Sequence, residues 1–471
     1  MPKEVVAIVY SQSQIDPLVS FKNTVGESVR GTIVKLQRKS LVMEVYNPYS
    51  IVQISEVLSD LTIRVGSKMA YLGKAVVISL VNTGLTAIVS VTLIDEWQDL
   101  YDVVVTAGAV GEEARAFVKD WTERFQIRRD YQIVVNELRA YLADMSRWVE
   151  QVDLTESIPR EDGRLRPDIF QELATPLIIK LGEGLAKLEI EAALVDDDLS
   201  AMHRSYAQAA LHPLLLRAPF IFRAFTKPLG YAGDYEMVNQ MLTDPRQGPS
   251  TYFQIVNAGF LKTAVAAAHC NRIDILVNYL VKLAESARKA GRPFRVLNVG
   301  CGPAVEIQRF LQNYPHPELL SFDLVDFSEE TLTYTQGKLA EIADKMGKPV
   351  SINCIQDSVH NLLKRKVDAE DQIVREYDAA YCAGLFDYFS DKVCARLTSY
   401  LAARISAGGR ILITNVHTSN PDRLGMEHLL EWYLIYRDEV KMASILPSNV
   451  CQQEIYVDPT GVNVFAEAVV I

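Results

Sequence analysis

The stretch VLNVGCGPAVEIQRF places Gly300 and Gly302 between a short apolar run of strand type and a helical run. Two glycines at such a junction let the backbone approach a ligand closely and open a helix beneath it. Three further apolar runs end in polar residues. LVDFSEE carries Asp326, IQDS carries Asp357 and Ser358, and YCAGLFDYF carries Asp387 and Tyr388. Each carboxylate can accept hydrogen bonds from ligand hydroxyl or amino groups, or can cap the helix that follows, as Ser328 and Ser358 also can. A dinucleotide fingerprint starting at Gly300 needs glycine at 305, where Val305 stands, so the spacing argues against a pyrophosphate site.

The elements that must position these residues follow from periodicity. From residue 291 onward, FRVLNV, LSFDLVDF, SINCIQD, YDAAYCAG and RILITNV are short apolar strands, each followed by a helical stretch. Such alternation implies βαβ units and a parallel, doubly wound α/β sheet whose ligands sit at the carboxyl edge. Two β-runs around DPTG in QEIYVDPTGVNVFAEAVVI read as a terminal antiparallel hairpin.

The GCGPA turn resembles motif I of class I methyltransferases, E/D-x-G-x-G-x-G, whose cofactor is S-adenosylmethionine (SAM). Gly300 and Gly302 are in place, Ala304 holds the third glycine position, and Asn298 holds the acidic one. The resemblance implies a Rossmann-like SAM-binding sheet over 291–471. It also implies cofactor contacts from Gly300, Cys301 and Gly302, from Asp326 and Phe327 at the ribose, and from Asp357 and Ser358 at the adenine amino group. Ala383 and Gly384 would complete them at the fourth strand end.

Residues 106–290 read as a helical lid and substrate-binding region, with apolar residues three and four apart and SIPREDGRLRP as an interrupting loop. Within it lies KPLGYAGDYEMVNQM, which spends two glycines and two tyrosines on a connector. Gly230 and Gly233 would let it fold tightly over a cofactor, with Tyr231 and Tyr235 as walls and hydroxyl donors. Asp234 either accepts from the cofactor's amino group, in place of the acid missing at Asn298, or caps the helix EMVNQML. The KPLGYAGD and GLFDYF stretches make residues 130 to 471 similar to the bacterial synthases of 3-hydroxypalmitic acid methyl ester, a quorum-sensing signal. That resemblance implies SAM-dependent O-methylation of a fatty-acid carboxylate, with Tyr231, His417 and Arg437 as catalytic candidates. Arg223, Asp387, Tyr388, Trp432, Tyr436 and Arg437 are the candidate acceptor contacts, an arginine fork suiting a carboxylate. The arginines can equally form structural ion pairs. Phe220, Phe222, Phe225 and Trp432 could line an acyl tunnel or serve as core.

Residues 1–105 contain GTIVKLQ, SLVMEVYN, SIVQISEV, KMAYLGKAVVISLVN and TAIVSVTLI, closely spaced strands without helices, which imply a small β-barrel. Their order resembles a PilZ-like barrel. The family's RxxxR arm and D/N-x-S-x-x-G turn are missing, with only Arg30 near the first strand and KLQRKS at the turn, so docking or homodimerisation is expected rather than cyclic di-GMP binding.

The 471 residues suggest two to four domains; 49% are apolar, 23% are charged and the net charge is -11. No basic cluster points to nucleic acid. Apolar runs fall short of a membrane span, and MPKEVVAIVYSQSQ lacks a small-residue cleavage site. The 6 cysteines form no CxxC pair, so no metal site is expected, and reduced thiols in a cytoplasmic protein are the simplest account. Two other readings stay open: a methyltransferase for a different small molecule, and a regulatory SAM-binding protein with a docking barrel.

Overall fold

The computed structural model describes residues 18–22, 28–37, 39–45, 52, 55–65, 68–82, 87–95, 97, 111, 115, 118, 119, 122, 127–364 and 376–471. The N-terminal stretch read for a leader, half of SIVQISEV and the start of the expected first long helix lie outside these residues. The chain divides into two compact units, one of residues 1–80 and 86–116 that holds nearly all of the barrel, the other of residues 117–471 together with 81–85.

The barrel is closed by β1 (Leu18–Lys22), β2 (Ser28–Leu36), β3 (Ser40–Val45), β4 (Val57–Val65), β5 (Lys68–Asn82) and β6 (Ala87–Leu93), in the order β1-β2-β3-β6-β5-β4 with β1 paired to β4. Alternate residues such as Val19, Phe21, Leu41, Met43, Val89 and Val91 fill its interior. The fourth strand is VLSDLTIRV, a run not expected as a strand, which begins at the last residue of SIVQISEV. A bulge between Leu58 and Leu61, with Asp60 at φ 55, breaks the alternation that would have marked it. Arg30 lies exposed within β2, opposite Ser20, rather than ahead of the strand.

The second unit begins with helices α1 (Arg129–Asp153), α2 (Pro167–Ala193), α3 (Ser200–Leu215), α4 (Pro219–Thr226), α5 (Tyr235–Leu242), α6 (Thr251–Phe260) and α7 (Ala264–Lys289). SIPREDGRLRP holds a two-stranded ribbon, β7 (Arg160–Glu161) and β8 (Arg164–Leu165). In α1 the buried Tyr131, Val135, Leu138, Leu142, Met145 and Val149 recur every three or four residues, the stripe an amphipathic helix needs.

The sheet follows: β9 (Phe294–Val299), α8 (Val305–Asn313), β10 (Leu320–Asp326), α9 (Glu329–Met346), β11 (Ser351–Gln356), α10 (Val359–Lys364), β12 (Tyr377–Cys382), α11 (Asp391–Ala402) and β13 (Ile405–Val416). After α12 (Arg423–Leu429) and α13 (Glu439–Ile445) come β14 (Val450–Val457) and β15 (Asn463–Val470). The order is β11-β10-β9-β12-β13-β15-β14, parallel except for β15 and β14. Asp458 makes the hairpin turn by accepting from the amides of Thr460, Val462 and Asn463. Alternating residues of one strand enter different cores: Val296 lies in one hydrophobic cluster, Leu297 and Val299 in the other. Both faces are therefore covered, as a doubly wound sheet requires.

The helical region docks on the sheet through polar contacts to α12. Glu189 accepts from the amides of Leu424 and Gly425, Asp422 accepts from the amide of Val265, and His212 Nε2 lies 2.8 Å from the Leu429 carbonyl. Among the described residues no helix is long and apolar enough to cross a membrane.

Candidate functional site

Where β9 ends, Gly300 and Cys301 both donate backbone hydrogen bonds to the Val325 carbonyl, so the turn is tied to β10. Gly300, Gly302 and Ala304 take φ of 73, 51 and 48 in succession. A Cβ on Gly300 would stand 3.0 Å from Leu385 Cδ2, so glycine is needed there for space as well as conformation. Ala304 adopts the same left-handed geometry at a cost of about 1–2 kcal/mol. The backbone path of the glycine loop is therefore kept, under strain.

Asp326, at the tip of β10, accepts from the amides of Gly302 (3.1 Å) and Ser328 (3.0 Å). Burial raises its pKa, and these amides oppose the rise. At the next strand end the Asp357 amide donates to the Asp326 carbonyl, and Asp357 Oδ1 accepts from Ser358 N. Ser358 itself turns to α10, accepting from the Asn361 amide, and is not on the cavity wall. The cavity formed at this edge is lined by Gly300, Cys301, Gly302, Asp326, Phe327 and Asp357, and beyond β12 by Ala383, Gly384, Asp387 and Tyr388.

The KPLGYAGD loop covers this cavity. Lys227 ends α4 with φ 49 and donates from Nζ to the Glu431 carbonyl; burial brings its pKa down to about 8. Gly230, at φ 87, turns the chain so that Tyr231 enters the cavity, its ring 5.6 Å from Phe327 and 6.5 Å from Tyr388. Gly233 passes so close to Tyr388 that a Cβ would lie 2.5 Å from the hydroxyl. That hydroxyl also accepts from Trp432 Nε1 at 3.1 Å. Burial pushes both phenols up, more so beside Asp326 for Tyr231 and Asp387 for Tyr388, so both stay protonated donors.

Several candidates lie elsewhere. Asp234 caps α5, accepting from the amides of Glu236 and Met237, and takes Arg223 Nε on both oxygens at 2.8 and 2.9 Å; neither residue is on the cavity wall. Arg437 is enclosed by Asp391, Asn415 and the carbonyls of Phe386 and Phe389, so its guanidinium fixes the 385–388 turn from behind and has no donor facing a ligand. His417 pairs with Ser419 and Glu439 outside the cavity. Tyr436 packs beneath Arg423, 4.8 Å from its guanidinium carbon. Of the candidate tunnel aromatics only Trp432 reaches the cavity: Phe222 is 53% exposed, Phe225 meets His212 edge to face and Phe220 belongs to the helical core.

Three ionisable lining residues escaped the sequence reading: His269 and Arg272 on α7, and Glu306 on α8. Arg272 is buried, and its guanidinium lies against Gly384, where a Cβ would meet Nη1 at 3.0 Å. Among the described residues Nη1 has no hydrogen-bond partner. Burial lowers the Arg272 pKa, with Asp387 and Glu306 opposing. The signal was present: Val265, His269, Arg272 and Leu276 share one otherwise apolar face of α7, where a lone arginine is out of place. His269 gives its Nδ1 to the Val265 carbonyl, and burial takes its pKa down to about 3, so it stays neutral.

Strand order, terminal hairpin, glycine loop and acids at successive strand ends together make up the Rossmann-like sheet of the class I methyltransferase fold. No known family model and no curated protein matches the chain. Among solved structures it is similar to a possible exported protein from Bordetella parapertussis, at 14% identity over 70% of this chain and 96% of that one, TM-score 0.41. Another is magnesium protoporphyrin IX methyltransferase from Synechocystis PCC 6803 with bound SAH, at 15% identity over 53% of this chain and 98% of that one, TM-score 0.36. A third is the N-methyltransferase NodS from Bradyrhizobium japonicum WM9 in complex with S-adenosyl-l-homocysteine, at 10% identity over 41% and 85%, TM-score 0.28.

Proposed function

We propose that the chain is a SAM-dependent O-methyltransferase acting on the carboxylate of a hydroxy fatty acid or a similar small acid. The observation that carries this reading is the covered cavity at the carboxyl edge, where the glycine loop, two strand-end acids and an unpartnered buried arginine face one space. The residues fit the cofactor. Gly300 and Gly302 leave room for close approach, Asp326 is held by two amides for the ribose hydroxyls, and Asp357 suits the adenine amino group. The orphaned Nη1 of Arg272 would take the cofactor's carboxylate. When bound, SAM supplies an electrophilic methyl group.

The chain's own residues then have to orient the acceptor and exclude water. A carboxylic acid of pKa about 4 to 5 is ionised at neutral pH and needs no general base. Alignment alone can contribute on the order of 7–11 kcal/mol. Trp432 donates to the Tyr388 oxygen, which leaves the Tyr388 hydrogen free for an acceptor oxygen, and Tyr231 offers a second donor. Met237, Val238, Met241 and Leu434 give an apolar wall on which an acyl chain would gain roughly 0.8 kcal/mol per buried methylene.

A different small-molecule acceptor is the second reading, and Asp387 favours it. This cavity carboxyl is raised by burial to about 6, near the value a base for an acceptor hydroxyl would need. The test is incubation with methyl-labelled SAM and 3-hydroxy fatty acids of graded chain length, followed by mass spectrometry, with Asp326→Ala as control. A labelled ester with a chain-length optimum, lost in the control, is the expected result. SAM binding without any labelled ester would remove the fatty-acid assignment.

A further inference from the structure

The cavity wall poses a question of charge. Four carboxyl groups line it, and three are held by backbone amides: Asp326 by Gly302 and Ser328, Asp357 by Ser358, and Asp387 by Val416. Glu306 differs. It is buried at the start of α8, and its Oε1 receives two neutral donors, the Tyr381 hydroxyl at 2.7 Å and Asn298 Nδ2 at 3.2 Å. Among the described residues no cation lies within ion-pair distance of it. Arg272, on the same wall, acts on it only at longer range.

Asn298 and Tyr381 are direct partners across β9 and β12, so the sheet register places both beneath α8. Having given its amide hydrogen to Glu306, Asn298 is left with Oδ1 buried and, among the described residues, without a donor. A buried carboxylate without a paired cation and a buried carbonyl oxygen without a donor are each costly. One group answers both, a cation with several N–H donors. On the same wall the orphaned Arg272 Nη1 asks for an anion. An α-amino acid zwitterion has both ends.

We propose that Glu306 and Asn298 form the α-ammonium subsite of this cavity, Glu306 supplying the charge and Asn298 Oδ1 a hydrogen-bond acceptor, opposite a carboxylate held by Arg272. This rests on the SAM reading above and adds to it which end of the cofactor meets which wall. The pairing also explains how the loop tolerates asparagine at the end of β9: the negative charge enters from the first turn of α8 and is held in place by the residue that lacks it. Asp234, engaged by its own helix and by Arg223, has no share in it.

The experiment compares two ligands by calorimetry on the full chain. S-adenosylhomocysteine carries the amino-acid end, whereas 5′-methylthioadenosine keeps the nucleoside and lacks it. Glu306→Gln should weaken S-adenosylhomocysteine about tenfold or more and leave methylthioadenosine unchanged. Unchanged methylthioadenosine binding also reports an intact site. Restoring the acid one element away, in Asn298→Asp/Glu306→Gln, should recover most of the lost affinity. Equal losses for both ligands, no loss for either, or no recovery in the double variant would overturn the subsite. A wild-type chain that binds neither ligand would instead overturn the SAM reading beneath it.

Discussion

Gly233→Ala tests whether the loop closes over the cavity as described. Gly233 is outside the left-handed region, so an alanine meets no backbone strain, and its effect is one of space. The new Cβ would stand 2.5 Å from the Tyr388 hydroxyl, whereas ordinary contact begins near 3.4 Å, so a gap of 0.9 Å must open. Tyr388 cannot yield freely, because Trp432 Nε1 holds its oxygen at 3.1 Å and a Cβ would already touch Trp432 Cζ2 at 3.5 Å. Overpacking of this kind costs about 1–3 kcal/mol. A shift approaching 1 Å at the reacting centre lowers the rate on the order of a hundredfold. Urea unfolding should show the first loss, and methyl transfer to the best acceptor the second. Tyr388→Phe in the same chain removes the obstructing oxygen and leaves the ring carbon Cζ at 3.6 Å, an ordinary contact, so the double variant should regain most of the lost stability. If Gly233→Ala is as stable as wild type and binds S-adenosylhomocysteine equally well, the loop does not pack on Tyr388.

Three further outcomes follow from the same geometry. Arg272→Met removes a charged donor from the cofactor's carboxylate, worth about 1.5–3 kcal/mol, so S-adenosylhomocysteine binding by calorimetry should weaken roughly 10- to 150-fold while methylthioadenosine binding holds. Ala304→Gly relieves the left-handed alanine, and denaturant unfolding should show a gain of about 1 kcal/mol with cofactor affinity unchanged. Asp387 is raised by burial from 3.8 to about 6. Between these values the folded chain holds a proton that the unfolded chain has released, so its contribution is complete below pH 3.8 and lost by about pH 6. At 1.36 kcal/mol per unit this amounts to on the order of 3 kcal/mol. Stability of wild type minus that of Asp387→Asn, measured from pH 4 to 7, should therefore fall as pH rises; a flat difference would refute the burial of this carboxyl.

Much of the fold could be read in advance because its signals are local. The strands of the sheet show as short apolar runs, and the hairpin as DPTG. The LSDLTIRV strand was passed over because its bulge at Asp60 disrupts the alternation on which such readings depend. Phe220, Phe222 and Phe225 stood open between tunnel lining and core because aromatic type says nothing about which helix face meets a cavity, and Arg437 stood open between acceptor contact and ion pair because the two kinds of arginine look alike in one dimension.

The α/β sheet, the glycine turn at 300–302 and the acids at the strand ends were legible in one dimension, since each depends on residues close together in the chain. How the charges pair was set by packing in three dimensions. Asp234 and Arg223 found each other eleven residues apart and closed off a role in the cavity, whereas Arg272 and Glu306, from different helices, were brought to one wall by packing of α7 and α8 on the same face of the sheet. A charge's function depends on which partners reach it through space. Those partners come from distant parts of the chain, so sequence spacing does not reveal them.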